Sequence, residues 1–119
     1  VAVAWDGGKE ASRAARTALP LLQKSSRVVV LSAPQATSRK FDARRLADFL
    51  AAREVKAEVQ VLEGGGDAAG LLLGACRSLG ANILVAGAFG HPRLQEFIFG
   101  GTTRTLLGAE DGPSLFLSH

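Results

Sequence analysis

The sequence predicts an α/β fold: one open, five-stranded parallel sheet in the order 3-2-1-4-5, with helices on both faces, the Rossmann-like architecture. Three observations lead there. Short, uninterrupted apolar runs alternate with stretches whose apolar residues recur every three or four positions, the pattern of buried strands joined through helices. One strand-like run, "VKAEVQV", alternates apolar and polar residues instead, as a sheet-edge strand with one solvated face would. No linker or internal repeat divides the 119 residues, so 1–119 reads as a single domain.

Each element has its own signal. "VAVAW" at the start is a strand covered on both faces, ended by "DGG". Ala11, Ala14, Ala15, Ala18, Leu19 and Leu22 then mark an amphipathic helix, with Arg13, Arg16 and Lys24 on its polar side. Pro20 falls inside that pattern, which predicts a kink or an early end. "RVVVLS" is the second strand and "APQATS" its break; Ala43, Leu46, Ala47 and Leu50 mark the second helix. In "VKAEVQV", Val55, Ala57, Val59 and Val61 fall on one face and Lys56, Glu58 and Gln60 on the other. "EGGGD" follows, with Asp67 placed to cap the next helix. That helix carries the stripe Ala68, Leu71, Leu72, Ala75, Cys76 and Leu79. "NILVAG" is the fourth strand; a short helix over about 102–107 and a fifth strand, "SLFLS", complete the reading.

Composition narrows the function. With 47% apolar and 21% charged residues the chain is globular rather than disordered. No apolar run approaches the roughly 18 residues that cross a bilayer, and no basic-then-apolar leader precedes the first strand, which predicts a cytoplasmic protein and no membrane partner. A formal charge of +3 is too small to imply nucleic acid. Arg39, Lys40, Arg44 and Arg45 are interspersed with Asp42 and Asp48 and read as a solvated helix face. The single cysteine, Cys76, rules out an internal disulfide and reads as core packing. The absence of methionine suggests that Val1 is an internal cut, the sequence being one half of a longer, repeated protein.

In an open parallel sheet, ligands bind beyond the carboxyl ends of the strands where the strand order reverses. The order 3-2-1-4-5 puts that crevice between the first and fourth strands, ended by Asp6 and Gly87. The segment after the fourth strand, "GAFGHPRLQEFIFGGTT" over 87–103, sets Gly87 and Gly90 ahead of Gly100, Gly101 and Thr102. Glycines let backbone approach an anion closely, and a helix N-terminus adds unpaired N–H groups with partial positive charge. Together they read as a phosphate cradle built from main-chain amides. The plainer reading makes the same glycines a tight turn and a helix entry. His91 and Arg93 lie between the clusters; phosphate contact, a surface loop position for His91 and pairing of Arg93 with Glu96 all stay open. Trp5 reads as core or crevice wall.

These residues resemble a known family. Gly87, Gly90 and Gly100 match the pattern G-x2-G-x9-G-[S/T] of nucleotide-binding universal stress proteins. "AWDGGKEASRAARTALPLL", "GGGDAAGLLLGACRSLGANILVAGAFG", "FGGTTRTLL" and "GPSLFLSH" are similar to the family's successive elements over nearly the whole chain. The resemblance implies an adenine nucleotide alpha hydrolase-like fold that binds ATP, with or without Mg2+, or AMP or ADP. It further implies Asp6 near the adenosine, Ala33 beside adenine, Gly87 and Gly90 approaching ribose and phosphates, and Gly100, Gly101 and Thr102 on the phosphate chain. A homodimer through the last strand (114–118), or pairing with a sister domain, is also implied. One position departs: the residue after the third glycine is Gly101 rather than serine or threonine, which forfeits a hydroxyl hydrogen bond of about 1 kcal/mol that Thr102 or Thr103 could replace. Gly8 likewise stands where serine is common.

No catalytic or metal set is legible. His119 has no ligand neighbour, and neither HExxH nor a Ser-His-Asp arrangement can be argued. Adenylyltransferases need HxGH soon after the first strand, pyrophosphatases of the group an SGGxDS-like loop, dinucleotide-binding enzymes GxGxxG; "WDGGKE" fits none of these. A receiver domain would want an aspartate ending the third strand, where only Glu63 stands. The sequence thus points to a regulatory nucleotide-binding domain, not a dedicated enzyme. The alternative is a dimerisation or protein-interaction module that has lost the nucleotide, with Gly101 as its motive.

Overall fold

Five short apolar runs pair into one sheet: β1 (Ala2–Ala4), β2 (Val28–Ser32), β3 (Ala57–Val61), β4 (Ile83–Gly87) and β5 (Ser114–Ser118). The computed structural model describes residues 1–33, 43–64, 68–87 and 112–118. The sheet order is β3-β2-β1-β4-β5 and every pairing is parallel, as expected. β1 is shorter than its apolar run, yet its pairing reaches further: Val29 N–H donates to Val1 O and Trp5 N–H to Leu31 O.

The helices are α1 (Lys9–Thr17), α2 (Leu19–Gln23), α3 (Ala43–Ala51) and α4 (Ala68–Leu79). Two cores result, one on each sheet face. On one, Val3, Val30 and Val85 meet Ala14, Ala15, Leu22, Leu46 and Leu50 from α1, α2 and α3. On the other, Ala2, Leu31 and Leu84 meet Leu72, Ala75 and Cys76 from α4. The alanine stripe of α1 has little bulk, so that helix lies close against the sheet.

Pro20 acts as its chemistry requires. It has no N–H for a continuous helix, and the pattern read as one helix divides at Ala18, with Pro20 in the first turn of α2. There the Ala18 N–H is shared between the carbonyls of Ala14 and Arg16.

β3 needs a correction. It lies at the sheet edge as expected, but its apolar face is covered only at the start. Val55 is buried and Ala57 half-buried, whereas Val59 is 36% and Val61 55% exposed. α3 packs over the beginning of this strand, and the cover thins toward its carboxyl end. The expected cap Asp67, the short helix over 102–107, and Arg39 and Lys40 lie outside the described residues.

Candidate functional site

The strand order reverses between β1 and β4, neighbours in the sheet whose crossovers leave in opposite directions. Register brings three of the expected site residues to this edge. Ala4 is level with Leu31, so two residues further on Asp6 is level with Ala33. Val3 is level with Val85, so Trp5 is level with Gly87. Asp6, Ala33 and Gly87 therefore stand along one carboxyl edge, two of them at the switch point.

The turn after β1 is built by Asp6 itself. Gly8 N–H donates to Asp6 Oδ1 at 2.8 Å, an aspartate turn that folds the chain back toward α1. Gly7 inside it has φ 77°, a left-handed conformation that a side chain would disfavour by about 1–2 kcal/mol. Asp6 is exposed, with its second carboxylate oxygen directed to no described donor. Gly8, the residue before α1, caps the helix with no side chain, so the first-turn amides of α1 are left for backbone or ligand.

Gly87 has a reason to be glycine that no ligand supplies. A Cβ there would stand 2.5 Å from Ala11 N and 2.6 Å from Glu10 C. The main chain of α1's first turn fills that space. Gly87 thus seats the start of α1, and with it the Asp6–Gly8 turn, on the end of β4. Ala33, half-buried, packs against the α4-side core. Trp5 packs against the opposite core, and its buried indole N–H has no hydrogen-bond partner. Of the two readings offered for Trp5, core holds, at the rim of the crevice.

Two features of this edge escaped the sequence reading. One is that orphan Trp5 Nε1. The other is Glu10, buried at 8% exposure in the first turn of α1. Its signal was present: Glu10 lies one turn before Ala14 and two before Ala18, in line with the apolar stripe.

Gly90, His91, Arg93, Gly100, Gly101 and Thr102 lie outside the described residues. Among the described ones no cluster of three acidic, histidine or cysteine side chains could hold a metal ion. The described residues fit a nucleotide in part: Asp6 and Gly87 at the switch point, the exposed Asp6 carboxylate and first-turn amides of α1 without a side-chain cap. Elsewhere, a hollow of about 420 Å³ opens at the amino edge of the sheet between Leu21, Ser25, Arg27, Gly80 and Asn82. Its guanidinium is already engaged, Arg27 Nε donating to Glu58 at 2.7 Å, and it lies at the wrong end of the strands for the crevice.

Comparison with known proteins agrees with this architecture. The model of the universal stress protein family matches residues 1–110. No curated protein matches the chain. Among solved structures, a protein from the universal stress protein family of Burkholderia pseudomallei is 25% identical, with a TM-score of 0.64 over 98% of this chain and 92% of the other. Universal stress protein UspA from Lactobacillus plantarum is 13% identical, with a TM-score of 0.77 over 99% and 95%. A universal stress protein in complex with cAMP is 16% identical, with a TM-score of 0.73 over 99% of this chain and 94% of that one.

Proposed function

The chain belongs to the universal stress protein family, and on that premise we propose that it is a regulatory domain that binds an adenine nucleotide, ATP foremost, at the edge shared by β1 and β4, without being a dedicated enzyme. The observation that carries the reading is the alignment of Asp6, Ala33 and Gly87 along one carboxyl edge, with Asp6 and Gly87 at the point where the strand order reverses. That is where open parallel sheets take their ligands. The cAMP-bound relative supports an adenine nucleotide as the class to try. In this reading Asp6 and the backbone at Ala33 hold the nucleoside. The amides of 87–90 and 100–102, with His91 and Arg93, hold the phosphates with or without Mg2+. The domain works in the cytoplasm and pairs with a second copy, or with a sister domain, through β5.

Isothermal calorimetry with Mg-ATP, ADP, AMP and cAMP tests the binding. Trp5 offers a second readout, being the only tryptophan of the chain and adjacent to Asp6. Saturable heat with a matching change in Trp5 emission is the expected result. No heat up to millimolar nucleotide would overturn the reading and favour the second one, an interaction module without ligand, which Gly101 in place of a hydroxyl residue motivates. ATP turnover far above background would overturn the non-enzyme part alone.

A further inference from the structure

Every charged side chain that α1 exposes is a cation: Lys9, Arg13 and Arg16. Their steps of four and three residues put them on one outward face, over about 10 Å of helix. At the end of that row two guanidiniums share one ring. Arg16 Cζ lies 5.9 Å from the centroid of Phe49 in α3, and Arg53 Cζ, just past α3, lies 3.8 Å from it. Phe49 is half-buried and packs against the core beneath, so the ring itself is anchored. Arg53 is held further: its Nη1 donates to Phe49 O at 3.3 Å, and Gln23 Nε2 of α2 donates to Arg53 O at 3.2 Å. Both arginines are exposed, and among the described residues no carboxylate pairs with either. The carboxyl ends of α1 and α3 account for the sign of these charges. They do not account for two like charges gathered on one ring, where they repel each other.

We infer that this surface, the outward row of α1 with the Arg16–Phe49–Arg53 cluster at its end, docks an acidic segment of a partner protein. A guanidinium is planar, keeps its charge and grips a carboxylate through two parallel N–H donors. Stacking on Phe49 orders Arg53 before any partner arrives, which lowers the entropic cost of binding. Aromatic residues and arginine are also the side chains that anchor protein interfaces. Carboxylates three and four residues apart on a partner helix meet the row in register. Two other polyanions fit less well. A helix that binds a membrane inserts its apolar face, and that of α1 already lies against the sheet. A nucleic-acid backbone is held through many phosphate contacts; this row is short, and the exposed Asp48 next to Phe49 repels a continuous phosphate chain.

The test is fluorescence anisotropy of a labelled helical peptide, its glutamates set at the same steps of four and three residues, titrated with the whole chain at low and at physiological ionic strength. Saturable binding that weakens with salt, and is absent for the same peptide with glutamines, is the expected result. Arg16→Gln and Arg53→Gln are each expected to weaken it about threefold, and together about tenfold, the scale of exposed ion pairs. Phe49→Leu removes no charge, yet is expected to weaken binding about fivefold, because the guanidiniums lose the ring that orders them. If that variant does not fold, the two surface arginine variants still decide. Lys56→Gln with Arg77→Gln removes two charges from β3's approach and from α4, and is expected to change nothing. Equal weakening by that pair shows attraction to net charge alone and overturns the inference. So does a lowered melting temperature of Arg16→Gln and Arg53→Gln with peptide binding unchanged, the signature of arginines that serve only the helix ends. Absence of peptide binding at low ionic strength overturns it as well. So does tighter binding of duplex DNA, phosphatidylserine vesicles or tripolyphosphate than of the peptide.

Discussion

Gly87 shows how one residue can carry two different explanations. In the sequence its spacing to Gly90 and Gly100 reads as part of a ligand loop, whereas in the structure its position makes it the seat of α1. The second reason has a definite cost attached. A methyl group there meets main-chain atoms of Glu10 and Ala11, which cannot rotate aside as a side-chain end could. Gly87→Ala is expected to lower stability by about 3 kcal/mol, the upper part of the range for overpacking, measured by urea unfolding without any ligand. Cys76 makes a second residue-scale prediction. It is 1% exposed, and burial raises its thiol above the ordinary 9.0, with a smaller opposing pull from the positive amino terminus. A raised native value means that the folded state holds the proton more tightly. The stabilisation is therefore complete below pH 9.0 and is lost as pH climbs past it through the higher native value. Native protein should react slowly with thiol reagents, and Cys76→Ala should show a shallower alkaline loss of stability than wild type. The Cys76 role was legible from its place in an apolar stripe. The packing role of Gly87 was not, because its neighbours come from a helix more than seventy positions away in the chain.

At the scale of elements, the strands were readable where both sheet faces are covered. "VAVAW", "RVVVLS" and "NILVAG" carry unbroken apolar runs because their strands are covered on both faces, and the structure places all three at the centre of the sheet. Pro20 announced the division between α1 and α2 through its missing N–H. The end of α3 was harder to read, since no glycine marks it. Glu54 occupies the left-handed turn there at φ 64°, with Val55 N–H returning to Leu50 O at 2.9 Å. Carrying a Cβ in that conformation is costly, so Glu54→Gly is expected to raise stability by about 1 kcal/mol, a shift readable in a thermal melt. The loose cover over Val59 and Val61 was invisible as well. Alternation tells which face a residue joins, but not how far the neighbouring helix reaches along it.

For the whole molecule, the parallel sheet was legible from the alternation of elements, and the partner was not, because pairing between copies needs only open backbone. Ser114 N–H donates to Asn82 O, which turns the groups of Ser114, Phe116 and Ser118 toward β4 and those of Leu115 and Leu117 outward. Leu117→Pro therefore removes an outward donor and leaves the β4 ladder whole. If β5 joins two copies, this variant is expected to sediment as a monomer with its circular dichroism unchanged. The central pairing of Ala2 with Leu84 has a further consequence, for the order of events when the chain is made. On the ribosome β1 can meet β2 early, but its other side stays unzipped until residue 84 and its neighbours emerge, because closing so long a loop comes late. The edge at which we propose that a nucleotide binds does not exist before that moment. A small molecule that recognises it would therefore latch only onto chains that have finished folding, and would protect those from proteolysis.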